Sequence, residues 1–180
     1  MNFIIYDLEA TCWRGRPPGE ISEVIEIGAV KVDRYGEVVG TFNQFIKPTV
    51  NPYLSPFCIQ LTSIQQEDVD RADKFPEVIE YFKDWSGIYE EDYLLASWGE
   101  FDKEIIVVNC ELYKIESDWV HTHINLRSAY RQLKKLNKPV GLKKAVRKEG
   151  FEFTGIHHRG MSDAENLAKI FAKYVDEWEL

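Results

Sequence analysis

The apolar run Phe3-Ile4-Ile5-Tyr6 reads as a buried β-strand, and it ends in two carboxylates, Asp7 and Glu9. Two more strand patterns follow. Residues 21–32, "ISEVIEIGAVKV", alternate as a strand does, and 37–48, "EVVGTFNQFIKP", resume after the turn "DRYG", so these two are expected to form a hairpin. Helices and strands alternate from there on. A Thr62 cap predicts a short helix over 62–72. Residues 75–87 place Val78, Phe82 and Trp85 on one helical face and stop at Gly87. Strand 93–98, helix 100–113, strand 119–126 and helices near 127–136 and 141–149 come next. A last helix runs from Ser162 to about Trp178, with Ser162 and Glu165 forming a capping box. Strands first and then alternation predict an α/β fold with a mixed five-stranded sheet flanked by helices.

A chain of 180 residues fits one domain, 1–180, with enough length to bury a substantial core. The opening "MNFIIYD" lacks the basic and long apolar regions of a signal peptide. No apolar run approaches the ~18 residues of a membrane span. Cys12, Cys58 and Cys110 form no CxxC pair, which predicts a reduced, cytoplasmic protein without a membrane partner. The net charge of −8 argues against a simple polyanion binder, but its distribution is uneven. Residues 127–148 carry nine Lys/Arg and no acid, which leaves 13 basic against 30 acidic residues elsewhere.

On a strand, residues i and i+2 share a side, so Asp7 and Glu9 point together if the strand reaches them. Two carboxylates so close repel unless a cation or proton intervenes, and oxygen pairs of this kind suit Mg²⁺ or Mn²⁺. By itself the pair is equally what a solvated strand end carries. The second D-x-E, Asp163-Ala164-Glu165, lies on a helix, where a turn of ~100° per residue separates the two side chains. Context adds to the first pair. Asp102 opens a helix just past the strand 93–98, where ligands bind in open α/β sheets. Asp163 stands in the first turn of the last helix, a position that favours an acid in any protein. His158 precedes it by five residues in the loop "GIHHRG".

Taken in order, D-x-E, then Asp, then H-x4-D resembles the DEDDh (DnaQ-like) 3′–5′ exonucleases, whose fold is ribonuclease-H-like. "YDLEATCW", "EVIEIGAV", "SPFCIQLTSIQQEDVDRADKFPEV", "SWGEFD" and "GIHHRGMSDAENLAKIF" resemble the branch that trims histone-mRNA ends and small interfering RNAs, with the bacterial KapD-like proteins close by. The resemblance covers nearly the whole chain. It implies a 3′–5′ exonuclease on single-stranded nucleic acid, RNA favoured, that releases nucleoside 5′-monophosphates. It also implies two divalent ions, Mg²⁺ or Mn²⁺, held by Asp7, Glu9, Asp102 and Asp163, with Asp7 bridging and His158 as general base. Some members place the third acid directly after the Trp. Here Gly99, Glu100 and Phe101 intervene, so Glu100 competes with Asp102.

By the same resemblance Leu8, Ala10 and Thr11 line the terminal-nucleotide site, with backbone N–H groups of Ala10 and Thr11 on the sugar. Trp98 is a stacking candidate or a core residue. The basic stretch is expected to follow the phosphate backbone, with Lys143 and Lys144 the better candidates. His157 is expected to point away from the site, and His121 with His123 is too small a set for zinc.

Overall fold

A computed structural model describes residues 1–15, 18, 21–90 and 92–178. Five strands, β1 (Asn2–Ala10), β2 (Val24–Val32), β3 (Val38–Phe45), β4 (Tyr93–Ser97) and β5 (His123–Asn125), form one sheet in the order β3-β2-β1-β4-β5. β1–β2 and β2–β3 are antiparallel, while β1–β4 and β4–β5 are parallel. The expected mixed five-stranded α/β sheet and its early hairpin are therefore observed. Among the described residues seven α-helices accompany it: α1 (Pro56–Thr62), α2 (Gln66–Asp70), α3 (Phe75–Ser86), α4 (Phe101–Tyr113), α5 (Leu126–Leu133), α6 (Leu142–Lys148) and α7 (Gly160–Lys173).

The period of two along β1 divides the core. Ile4, Tyr6 and Leu8 face a cluster built with α3 and α4, including Phe82 and Ile106. Phe3 and Ile5 face the opposite layer of α5, α6 and α7, including Tyr130, Val146 and Phe171. Asp7 and Glu9 continue the odd-numbered row, so they face the layer that contains α7. Pairing with β4 stops at Ile5, whereas pairing with β2 continues to Ala10. The acidic end of β1 thus extends past β4.

A glycine contact brings α7 onto that end. Gly28, opposite Asp7 in the β1–β2 ladder, lies so close to α7 that a Cβ there would sit 2.0 Å from the Gly160 carbonyl carbon. Any larger residue at 28 would displace the helix start from the acids.

Four expectations need correction. Residues 62–72 do not form one helix opened by Thr62. Thr62 ends α1, where its hydroxyl donates to the Cys58 carbonyl and accepts the Ile64 N–H. The cue for α1 is Ser55-Pro56, an N-cap whose oxygen accepts the Cys58 N–H, followed by Pro at the first helical position. Strand 119–126 shrinks to β5, because Asp118–His121 form a 3₁₀ turn. His121 and His123 therefore do not share a strand face, and His123 bonds the Ser97 hydroxyl at 3.0 Å. The last helix starts at Gly160 and has no Ser162/Glu165 box; the Ser162 hydroxyl instead accepts the Ile156 N–H.

Candidate active site

One strand end and two helix starts deliver the acids. Asp7 and Glu9 come from the overhanging end of β1, Asp102 from the first turn of α4, and Asp163 from the first turn of α7. Carboxylate oxygens of Asp7, Glu9 and Asp163 lie within 4.8 Å of one another. Asp102 joins them through the backbone, its Oδ1 accepting the Leu8 N–H at 3.0 Å. That amide is free because β4 has already ended. Glu9, Asp102 and Asp163 are buried, and Asp7 is half-buried where it opens on the cavity. Glu100, the competing acid, is exposed and accepts the Asn125 side-chain amide at 2.9 Å.

Crowding shows in the protonation of these groups. Burial, then the charges of Asp102, Asp163 and Glu9, holds the Asp7 carboxyl well above the ordinary carboxylate range. Burial, then Asp163 and Glu26, pushes Glu9 up to about 8. Burial raises Asp102 to about 6 against the opposing pull of the Leu8 N–H. Among the described residues no cation forms an ion pair with Asp7, Glu9 or Asp102.

The histidine loop is fixed from several sides. Asp163 accepts the His158 backbone N–H on Oδ2 at 2.7 Å, and its Oδ1 lies 2.8 Å from His157 Nδ1. The two imidazoles stack at 4.0 Å. His158 holds φ at +64°, a left-handed conformation that its amide bond to Asp163 stabilises. Asn166 bonds both backbone groups of Thr154 and secures the loop from beneath. The His158 side chain lines the cavity, and partial burial, then the neighbouring His157, lowers its pKa, with Lys143 adding to the effect. His157 therefore points into the site and not away from it, because its ring closes onto Asp163.

Sequence reasoning missed Glu26. This wholly buried acid pairs with Glu9 across the β1–β2 ladder and accepts Arg159 Nε at 3.1 Å and the Gly160 N–H at 3.0 Å. It caps α7 from outside the helix and so sets where Asp163 begins. Its signal was present, an acid inside an otherwise apolar strand, but its partner lies 133 residues away.

The acids and both histidines line a cavity of about 530 Å³ that also includes Leu8, Ala10, Thr11, Leu61 and Trp98. Trp98 lines the cavity half-buried against Tyr130, and its Nε1 donates to the Val140 carbonyl. Thr11 is a wall residue, but its N–H is already donated to the Glu23 carbonyl at 2.8 Å, so it has no free backbone donor for a sugar. Leu61 was missed because α1 was not expected. Lys144 is exposed and lines neither the catalytic cavity nor the neighbouring one that Lys143 lines.

A family profile described as exonuclease (RNase_T) matches residues 4–171. The chain is 33% identical over 181 residues to the Homo sapiens protein named 3′-5′ exoribonuclease 1, covering 96% of this chain and 52% of that protein. It thus spans about half the length of the curated relatives it matches first. The nuclease domain of 3′hExo, a DEDDh family member bound to rAMP, superimposes with a TM-score of 0.90 at 34% identity, over 99% of this chain and 94% of that one. A 3′-exonuclease in 3′-end-specific recognition of the histone mRNA stem-loop superimposes with a TM-score of 0.91 at 33% identity, over 99% and 65%.

Proposed function

The chain belongs to the exonuclease (RNase_T) family, and within its DEDDh group we propose that it is a divalent-metal-dependent 3′–5′ exonuclease acting on single-stranded nucleic acid, RNA in preference to DNA. One observation carries this reading. Asp7, Glu9 and Asp163 are brought within 4.8 Å at the end of the central strand, and among the described residues no cation forms an ion pair with Asp7 or Glu9. Such an arrangement of hard oxygen donors fits Mg²⁺ or Mn²⁺.

Asp7, Glu9, Asp102 and Asp163 would hold two such ions. Bound there, they would supply an activated water and neutralise the charge that develops on the phosphate. The chain's own residues do the rest. Asp102, anchored on the Leu8 N–H, keeps its remaining oxygen lone pairs available beside Asp7. His158, exposed and kept neutral by its lowered pKa, accepts the proton of the attacking water. His157 orients the Asp163 carboxylate by its bond to Oδ1. Trp98, Leu61 and Leu8 offer apolar surface to a terminal base, and a 3′-phosphate placed among these acids would be repelled.

The three cysteines are unpaired, and among the described residues no helix is long and apolar enough to cross a membrane. We place the protein in the cytoplasm as one exonuclease domain, in an RNA-processing role.

End-labelled single-stranded RNA and DNA of equal sequence, incubated with Mg²⁺, Mn²⁺ or chelator, test the reading. Metal-dependent release of 5′-monophosphates from the labelled 3′ end is expected. Hydrolysis in excess chelator, or cleavage of circles, overturns it.

A further inference from the structure

We propose that Lys143 and Arg147 bind the phosphates that precede the scissile bond, in a second cavity that adjoins the acid cluster across His157. This rests on the exonuclease reading and extends it along the substrate.

The second cavity, of about 420 Å³, is lined by Lys143, Arg147, Glu152, Phe153, Gly155 and His157. His157 lines the catalytic cavity too, as does Leu142, the neighbour of Lys143. The two spaces therefore share a wall. A catalytic cavity of about 530 Å³ is the size of a small-molecule site and takes a terminal nucleotide. The rest of a strand must leave across the rim, and at His157 the rim opens on cationic side chains.

Helix register selects which ones. Residues 143 and 147 are four apart on α6 and share a face. Leu142, Ala145 and Val146 take the buried face. Lys144 and Lys148 lie on the same helix and line neither cavity. Lys143 sits 5.8 Å over the Phe153 ring, whose edge-on contact with His157 at 5.4 Å ties it to the catalytic loop.

Availability separates these cations from others nearby. Lys134 and Lys173 are both committed to Glu149. Among the described residues Lys143 and Arg147 enter no ion pair, although Glu152 shares their cavity. An Arg guanidinium matches two phosphate oxygens at once, and a Lys beside it adds a mobile point charge. Such a wall follows a strand without reading its sequence.

The test compares Lys143→Glu with Arg147→Glu against Lys138→Glu with Lys148→Glu, two double variants of equal charge change. Binding of a fluorescein-labelled 20-mer RNA is read by anisotropy from 50 to 200 mM salt, and KM is read for the 20-mer and a dinucleotide. Two lost single-strand contacts lower the salt slope by about 1.4, so wild-type affinity falls about sevenfold more across that range than the first variant's. The first variant is expected to lose more on the 20-mer than on the dinucleotide, and the second to keep the wild-type slope. Equal slopes in wild type and first variant overturn the proposal, as does an equal change in both variants or an equal loss on both substrates. If wild type hydrolyses neither substrate, the exonuclease reading fails alone, because anisotropy still reads the slope.

Discussion

Two groups of carboxylates in this protein are treated in opposite ways. Glu149, at the end of α6, is buried and fully partnered. It accepts the Tyr130 hydroxyl at 2.6 Å, Lys173 Nζ at 2.8 Å and the Tyr174 hydroxyl, and Lys134 lies at 3.3 Å. Although burial opposes ionisation there, these donors hold its pKa down at about 2. The acids at the end of β1 are packed together without such partners, and Glu9 rises to about 8. A structural acid is stabilised by the chain's own cations. The acids at the strand end repel one another, and the fold holds them together because β1, α4 and α7 are fixed by packing elsewhere. That unresolved repulsion is what an external cation relieves.

The sharpest way to break this comparison is to make the same chemical change in both places. Asp7→Asn is expected to reduce hydrolysis below detection while raising the melting temperature of the metal-free protein, since a carboxyl whose ionisation the fold opposes is gone. Asp163→Asn should abolish hydrolysis too. Glu149→Gln should leave turnover intact and lower stability by about 1–3 kcal/mol, the loss of charged hydrogen bonds, toward the smaller figure because its lysines are partly solvated. Thermal melts and a labelled-RNA assay on each variant check both signs. A fall in melting temperature for Asp7→Asn would show that the acids stabilise the fold and would remove the distinction.

The histidine pair divides the next effect. His158→Ala is expected to slow the chemical step by roughly 10²–10⁴-fold, the range for a lost general base. His157→Ala should act through Asp163 and weaken metal affinity by about 10–100-fold, as losses of ligand-orienting partners do. Single-turnover rates at saturating Mn²⁺ separate the two, because metal restores only the His157 variant. A variant of His157 that stays slow at saturating metal would assign it a direct part in the chemistry.

Stability against pH sharpens the comparison further. Glu149 ionises at about 2 in the fold and near 4.5 unfolded, so its contribution is present above 4.5 and is lost as pH falls toward 2. Glu9 keeps its proton to about 8 in the fold, so stability declines as pH rises from 4.5 to 8. His123, half-buried and neutral down to about 4, adds a rise between 4 and 6.5 of its own. Differences between parent and variant isolate each group. Glu149→Gln should remove the lower limb, and Glu9→Gln should reduce the upper, which Asp7 and Asp102 share. Mg²⁺ should flatten the upper limb in the parent, with proton release on binding measurable by calorimetry in two buffers. An upper limb unchanged in Glu9→Gln would assign it to the other acids alone.

Sequence alone disclosed the acidic end of β1 and the chain order of the acids, because each is a short-range pattern: alternation along a strand, or an acid in a first helical turn. It located Asp102 and Asp163 on helix starts but not their distance from Asp7: Asp102 is set by the Leu8 N–H, and Asp163 by Gly28 letting α7 approach. His157 was misread because a loop has no period, and its direction is set by the bond to Asp163. Glu26 with Arg159, and Glu149 with its lysines, were invisible for one reason: each partner set joins elements far apart in the chain, and no local spacing encodes it. The basic stretch reads as one block of charge, and the structure divides it into committed cations, cations on a cavity wall and solvated ones.

The smallest effect belongs to an acid of neither kind. Glu100 was a rival to Asp102 because both follow Trp98 within four residues. It is exposed, and its carboxylate accepts the Asn125 amide, whose oxygen caps α5 through the Ser128 N–H. Glu100→Gln keeps an acceptor for that amide, so stability should stay within about 0.5 kcal/mol, the usual range for a surface change. Turnover should remain near wild type, since a solvated carboxylate is screened from the cluster. Asp102→Asn, by contrast, keeps the Leu8 N–H bond through its amide oxygen but removes a charge from the buried set, and should lose activity with the fold intact. Metal titrations of the two variants side by side decide between them. A weakened metal response in Glu100→Gln with an unchanged one in Asp102→Asn would move the fourth acid from the helix face to the loop, and would make solvent exposure, not burial, the condition for ligating the ion.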